Sequence, residues 1–323
     1  MRIHIFMGKG GVGKTTTAAA FSLLCASKGL RTLVVSLDPA HNLGDVFDTK
    51  LNERPREIVE NLWASEIDFD KAILDHLKQL TNKIKDMYGY LRVLNLDKYI
   101  DVLKHSPGIE EYATLEKMKE VIQLGKDYDV IVFDTPPTGL TLRTLVLPFI
   151  NRVWLEKLMD LRRAILDRRK ALLRALGEKP RVVIGGKVEE LAVEEEEDPI
   201  FKELTAMYRE NEEMLNVLRS HSVTSITMVV NPEVLPVLEA KRAMELLKQF
   251  GMPIKNVVVN KVLTVEPTSE ELKLKIEEQK RALEMIEKEF SGLRIVKVPM
   301  FGKEPRGIDM LKRYARYIEP LLQ

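Results

Sequence analysis

The chain has 323 residues, 45% hydrophobic and 31% charged, which suffices for two domains of roughly 150 residues or one large α/β domain carrying an insertion. Fifty Lys and Arg stand against forty-nine Asp and Glu, so no global field draws the protein to nucleic acid or to an anionic membrane. A single cysteine, Cys25, excludes an intramolecular disulfide and any zinc site that needs two cysteines from one chain.

In chain order, β-branched runs alternate with helical patterns, the signature of βαβ units and a mostly parallel sheet. Strands are expected at Ile3–Met7, Thr32–Leu37, Val130–Phe133, Ser225–Val230, Asn256–Val259 and Ile295–Val298, with Leu62–Ile67 a weaker candidate. Most lack clean alternation, as strands buried on both faces do. Helices are expected at Thr15–Lys28, stopped by Gly29, and at 239–250, stopped by Gly251. Residues 148–222 differ: apolar residues at Leu155, Leu158, Met159, Ile165, Leu166, Leu172, Leu173 and Leu176 recur at helical spacing. Asp198 caps a second helix from Pro199, with a stripe through Phe201, Leu204, Met207, Met214 and Leu218. The organisation is an α/β domain at 1–147 and 223–323, doubly wound, with a helical insertion at 148–222; Gly177–Asp198 between its helices is expected to be a loop. The N-terminus lacks a signal-peptide pattern, and no window approaches the about 18 apolar residues of a membrane span. A cytoplasmic location follows as an expectation.

Gly8-Lys9-Gly10-Gly11-Val12-Gly13-Lys14-Thr15 follows the first strand and opens the first helix, the context in which G-x-x-x-x-G-K-[ST] cradles phosphate. The glycines free backbone N–H groups to close around phosphate oxygens at the positive end of a helix. Lys14 is placed for the β- and γ-phosphates, Thr15 for Mg²⁺ and Thr16 for the α-phosphate. Asp134, ending a hydrophobic strand after such a loop, has the Walker B pattern of a metal-organising carboxylate. ATP and Mg²⁺ are the implied ligands.

The K-G-G-V-G-K-T wording resembles the deviant Walker A loops of dimeric ATPases, which implies that Lys9 reaches the phosphates of a second copy. Asp38-Pro39-Ala40-His41-Asn42-Leu43-Gly44-Asp45 and Asp134-Thr135-Pro136-Pro137-Thr138-Gly139-Leu140-Thr141-Leu142-Arg143 resemble switch I and switch II of the family of tail-anchored-protein targeting ATPases and arsenite-pump ATPases. Ser106-Pro107-Gly108-Ile109-Glu110-Glu111, Val259-Asn260-Lys261, Val298-Pro299 and Arg306-Gly307 extend the resemblance over nearly the whole chain, as an archaeal-type, single-length member; Leu140 stands where many members have His. The resemblance implies that Asp45 polarises the attacking water, that Asp38 and Asp134 organise Mg²⁺, and that Asn260 reads the adenine edge, with Pro299 near the base. The family's C-x-x-C zinc pair and the metalloid-binding cysteines of the arsenite pumps have no counterpart here, so no zinc is expected.

The insertion stripe, with Leu155, Met159, Leu166, Leu173, Met207 and Met214, admits two readings: a groove for an apolar helix with adaptable Met edges, or two helices packed on each other. The resemblance implies the groove, gated by nucleotide state, and with it a homodimer, tail-anchored membrane-protein helices as clients and a membrane receptor met transiently at the membrane surface. Arg162, Arg163, Arg168, Arg169, Lys170 and Arg174 form a basic face that fits anionic headgroups, a receptor or plain solvation. Glu194–Asp198 reads as a solubilising loop. Nucleic acid has no recognition motif behind it. The alternatives are the ATPase subunit of an arsenite or other anion pump, and a partition or positioning ATPase, which D-P-A-H-N-L and the insertion disfavour.

Overall fold

A computed structural model describes residues 1–40, 42–87, 104, 106–184 and 187–322. His41 of the switch I-like segment, His105, and Gly185-Gly186 lie outside the described residues.

The described residues contain an eight-stranded sheet: β1 Arg2–Met7, β2 Thr32–Ser36, β3 Arg56–Val59, β4 Leu62–Glu66, β5 Val130–Asp134, β8 Thr224–Val230, β9 Ile254–Val262 and β10 Arg294–Pro299, in the order β10-β9-β8-β1-β5-β2-β4-β3. Every pairing is parallel except β3 with β4. Every residue of β2, β5 and β8 is buried, which explains why their β-branched-rich runs lack clean alternation. The sequence pattern missed β3, an antiparallel edge strand whose short, exposed Arg56-Glu57 start carries no apolar period.

One face of the sheet, with Phe6, Val34, Val132, Val229 and Val258, packs on α1 (Lys14–Ser27) and α9 (Gly307–Ile318) through Phe21, Leu24, Leu311 and Tyr314. Successive strand side chains alternate between faces, so Ile5, Met228 and Val257 point the other way, where α7 (Val234–Gln249) buries Val237, Met244 and Leu247. Helix α1 ends as its glycine requires: Gly29 has φ +79° and donates to the Ala26 carbonyl. Also present are α2 (Asn42–Phe47), α4 (Ile109–Leu124) and α8 (Glu270–Glu289).

The chain divides into two compact units, Met1–Phe69 with Thr114–Leu145 and Val217–Gln323, and Asp70–Ala113 with Val146–Asn216. The second unit is therefore wider than a single insertion at 148–222, because it takes in residues 70–113 as well. It holds most of α3 (Phe69–Met87), the later part of α5 (Thr138–Leu176), a hairpin β6 (Arg181–Ile184) with β7 (Lys187–Glu190), and most of α6 (Pro199–Arg219). The hairpin replaces much of the loop expected at 177–198; Val182-Val183-Ile184 and Val188 flanking Gly-Gly are a hairpin signal that the acidic surroundings masked. No described helix is long and apolar enough to cross a membrane.

Inside this unit Leu155, Leu166, Phe201, Leu204, Met214 and Leu215 are buried. Asp198 caps α6 by accepting from the Phe201 N–H at 2.7 Å and takes a two-pronged ion pair from Arg162 at 2.9 and 2.6 Å. Arg163 pairs with Glu195 and Lys170 with Glu194, and Arg169 donates to the Ala192 carbonyl. Four of the six basic residues, Arg162, Arg163, Arg169 and Lys170, thus hold the 192–198 segment as a strap against α5.

Candidate functional site

The loop after β1 carries Gly11 at φ +79° and Gly13 at φ +93°, conformations that only glycine adopts without strain. Gly8 passes so close to β8 that a Cβ would lie 2.2 Å from the Val229 carbonyl oxygen, so the tight loop needs glycine for room as well. Lys14, the first residue of α1, is 5% exposed, with Nζ 4.0 Å from Asp38. Two side chains from the end of β9 brace the loop: Asn260 donates to the Val12 carbonyl at 2.8 Å and Lys261 to that of Gly11 at 2.7 Å. Below it, the Thr17 and Tyr314 hydroxyls meet at 2.8 Å.

Strand C-terminal ends bring the other groups to the same place, as an open parallel sheet does with its ligand site. Asp134 ends β5 fully buried and accepts from the Ser36 hydroxyl at 3.2 Å through one oxygen, while its other oxygen has no partner. Burial pushes its carboxyl up to about 7, against the pull of the Lys14 charge and the Thr15 hydroxyl. A buried acceptor with an open lone pair, flanked by a threonine hydroxyl and a second carboxylate, is a donor set that fits a hard divalent cation or its bound water. Asp38 is 9% exposed and accepts from the Ala40 N–H. Asp45 is exposed in the first turn of α2, and Glu66 from the end of β4 fixes that turn by accepting from the Gly44 N–H at 2.8 Å.

One cavity of about 700 Å³ has Gly10, Gly11, Gly13, Lys14, Thr15, Thr16, Asp38, Asp45, Asn260 and Pro299 on its wall, with Phe301 and Arg306 from the closing segment, while Asp134 is not among its lining residues. Val12 is buried behind the loop, and Gly8 is buried where the loop leaves β1. Lys9 is not among the lining residues; its ammonium is exposed, 3.8 Å from Glu239. The sequence reading missed Ser36, Glu66 and Lys261, which hold neighbours in position. A carboxylate closing an apolar strand, as Glu66 closes β4, was the available signal.

The six groove candidates separate. Leu155, Leu166 and Met214 are buried, so they are core of their unit, while Met159, Leu173 and Met207 are half-buried. The exposed apolar residues of α5 lie on another stripe, Ile150, Val153, Trp154, Leu158, Leu161, Leu172 and Leu176, with Trp154 65% exposed. The spacing of three and four was legible, but which of two adjacent stripes faces inward is set by packing on α6, a contact that no local pattern encodes.

A model described as an anion-transporting ATPase matches residues 1–319. Putative arsenical pump-driving ATPase 2 of Aquifex aeolicus is 31% identical over 319 residues, covering 98% of this chain and 99% of the relative. ATPase ASNA1 homolog 1 of Paramecium tetraurelia is 31% identical over 314 residues, 96% and 90% of the two chains. A putative arsenical pump-driving ATPase of Chlorobaculum tepidum is 32% identical over 320 residues, 98% and 75%.

Proposed function

Because the chain belongs to the anion-transporting ATPase family and is an ATPase, we propose that it couples ATP hydrolysis in the P-loop cavity to capture of the hydrophobic helix of tail-anchored membrane proteins, as a homodimer that delivers them to a membrane receptor. Lys14 and the loop N–H groups hold the β- and γ-phosphates, Thr16 the α-phosphate, and Asn260 and Pro299 the base. Thr15, Asp38 and Asp134 hold Mg²⁺. That ion, when bound, neutralises charge on the transferring phosphoryl group. Asp45 orients the attacking water and accepts its proton. Lys9 serves the phosphates of the second copy, stabilising charge that builds up in the transition state.

The observation that carries the client assignment is the exposed stripe of α5. Seven large apolar side chains are exposed at helical spacing on one helix, four of them at or above half exposure, an arrangement that suits a partner. Its helical spacing suits another apolar helix. The same helix begins at Thr138 in the switch II-like segment, so nucleotide chemistry and the stripe share one element.

The test is Trp154→Asp with Leu158→Asp. Both side chains are exposed, so thermal stability and basal ATPase rate stay near wild type while capture of a single-helix tail on co-expression is lost. Retained capture removes these positions from the client surface. A second reading, the ATPase of an arsenite or other anion pump, is favoured by the names of the Aquifex and Chlorobaculum relatives. Against it, burial pushes the Cys25 thiol up to about 12, which leaves this chain no thiolate for a metalloid. Stimulation of turnover by arsenite would favour it.

A further inference from the structure

A second cavity, of about 290 Å³, opens at the opposite end of the sheet from the P-loop. It is built from the N-terminal ends of four neighbouring strands, β1, β8, β9 and β10, through Arg2, His4, Ser225, Lys255, Asn256 and Arg294. Parallel register puts His4 beside Ser225, and Asn256 beside both Thr227 and Arg294. Side chains two residues further along β1, β9 and β10, Phe6, Val258 and Val296, belong to the apolar core under α1 and α9, as does Val229 beyond Thr227 on β8. One face of the sheet therefore changes from apolar to polar within two residues on three of the strands and within four on β8, although His4, Ser225 and Asn256 are all buried there. Polar groups so placed are costly unless they are satisfied.

Their satisfaction is incomplete in one direction only. The Asn256 side chain, 2% exposed, donates its amide N–H to the Thr227 hydroxyl at 3.2 Å and leaves its carbonyl oxygen buried without a partner. With the amide turned about, its oxygen accepts from that hydroxyl and two N–H groups are left to donate. Three cations, Arg2, Lys255 and Arg294, surround the cavity, and among the described residues no Asp or Glu lines it. Lys255 is steadied by donating to the His221 carbonyl at 2.6 Å. With the amide so turned, guanidinium, ammonium and amide donors that no lining Asp or Glu faces among the described residues form the donor set of an oxyanion site.

We propose that this cavity binds a phosphoryl group, held by Arg2, Lys255 and Arg294 with hydrogen bonds from Asn256 and Ser225. The volume is less than half that of the P-loop cavity, which suits inorganic phosphate or a phosphomonoester headgroup and not a whole nucleotide. The His4 ring, packed at 4.6 Å on Phe21, closes the inner wall and reports occupancy: burial first, and then the charges of Arg2 and Lys255, push its pKa down, and an arriving anion offsets those charges.

The experiment titrates inorganic phosphate into the full-length protein with the P-loop site saturated by ADP, following the His4 imidazole resonances by NMR. A parallel arm measures flotation with vesicles of phosphatidic acid and of phosphatidylcholine. The expected result is a saturable His4 shift with phosphate, flotation with phosphatidic acid alone, or both. Arg294→Gln weakens it about tenfold, the scale of one charge-assisted hydrogen bond, Arg294→Lys restores part, and ATPase turnover is unchanged. A phosphate response without flotation assigns a soluble ligand; flotation without a phosphate response assigns a headgroup. Absence of both responses, or responses indifferent to Arg294→Gln and to Lys255→Gln, overturns the site.

Discussion

The two ends of the parallel sheet bury opposite kinds of titratable group. At the C-terminal end Asp134 is pushed up to about 7 by burial, beside Lys14 and Asp38. At the N-terminal end His4 is pushed down to about 3 by burial and by the charges of Arg2 and Lys255. Burial disfavours the charged form of both groups, but their surroundings differ: the upper cavity mixes carboxylates with lysines, an arginine and threonine hydroxyls, while among the described residues the lower one has three cations and no Asp or Glu. A mixed set fits a phosphate together with a cation, and a cationic set fits an anion by itself. Burial alone therefore marks a site without identifying its ligand; the sign of the flanking charge does that.

The largest expected effect breaks the upper end. Asp45→Asn keeps the shape of α2 and its tie to Glu66, so nucleotide affinity stays within a few fold, while turnover falls by about 10²–10⁴, the range for a general base. Single-turnover hydrolysis checks this; a loss under tenfold would assign water activation to another group. Lys9→Ala comes next, with a turnover loss of roughly 10- to 1000-fold. Lys9 lies off the cavity wall near Glu239, so a copy acting alone gains little from it. Mixing the Lys9→Ala and Asp45→Asn proteins restores one complete site per mixed dimer, and regained activity measures the crossing. Mixtures as inactive as their parents would confine the lysine to its own chain.

How far the sequence reveals this structure follows from the same contrast. Strands β1, β2, β5 and β8 were legible because burial on both faces leaves short runs rich in apolar and β-branched residues without clean alternation, and the P-loop because its glycines answer to positive φ and close approach at fixed offsets. The lower cavity was not legible: Arg2, Ser225, Asn256 and Arg294 are far apart in the chain and meet only through strand order. The face of α5 was half legible, because Leu155 and Leu158 share a period and only packing on α6 separates the buried one from the exposed one.

The strap supplies a third buried titratable group, its carboxyl shifted in the opposite direction to that of Asp134. Burial raises the Asp198 carboxyl, but hydrogen bonds from Arg162 and the Phe201 N–H, with the charges of Arg162 and Arg169, outweigh it and leave the group below the usual carboxylate range. Asp198→Ala strands Arg162 and uncaps α6, at an expected cost of about 3–5 kcal/mol to the unit that contains them. Arg162→Ala should cost a similar amount, and the double variant less than the sum, because the charge left unpaired is gone. Hydrogen exchange in α6 reads this locally. Additive losses would mean that the two residues act separately.

The smallest effect separates the two ends by pH, in protein free of nucleotide and metal. A group whose pKa is raised on folding, as with Asp134, stabilises most at low pH, and that contribution fades as pH rises through about 7. A base whose pKa is lowered, as with His4 at about 3, does the reverse: its contribution is complete above its unfolded pKa near 6.5 and is lost as pH falls. Between about pH 4 and 6.5 the two slopes oppose each other, each limited to about 1.4 kcal/mol per pH unit, so wild-type stability varies little there on their account. His4→Leu removes one slope, and its free energy of unfolding in urea rises on acidification relative to wild type, by about 2 kcal/mol at pH 5. Asp134→Asn removes the other, and its midpoint falls over the same interval. If the two variants gave parallel profiles, the neutral state of at least one of these buried groups would be wrong, and with it the assignment of opposite charge environments to the two ends of the sheet.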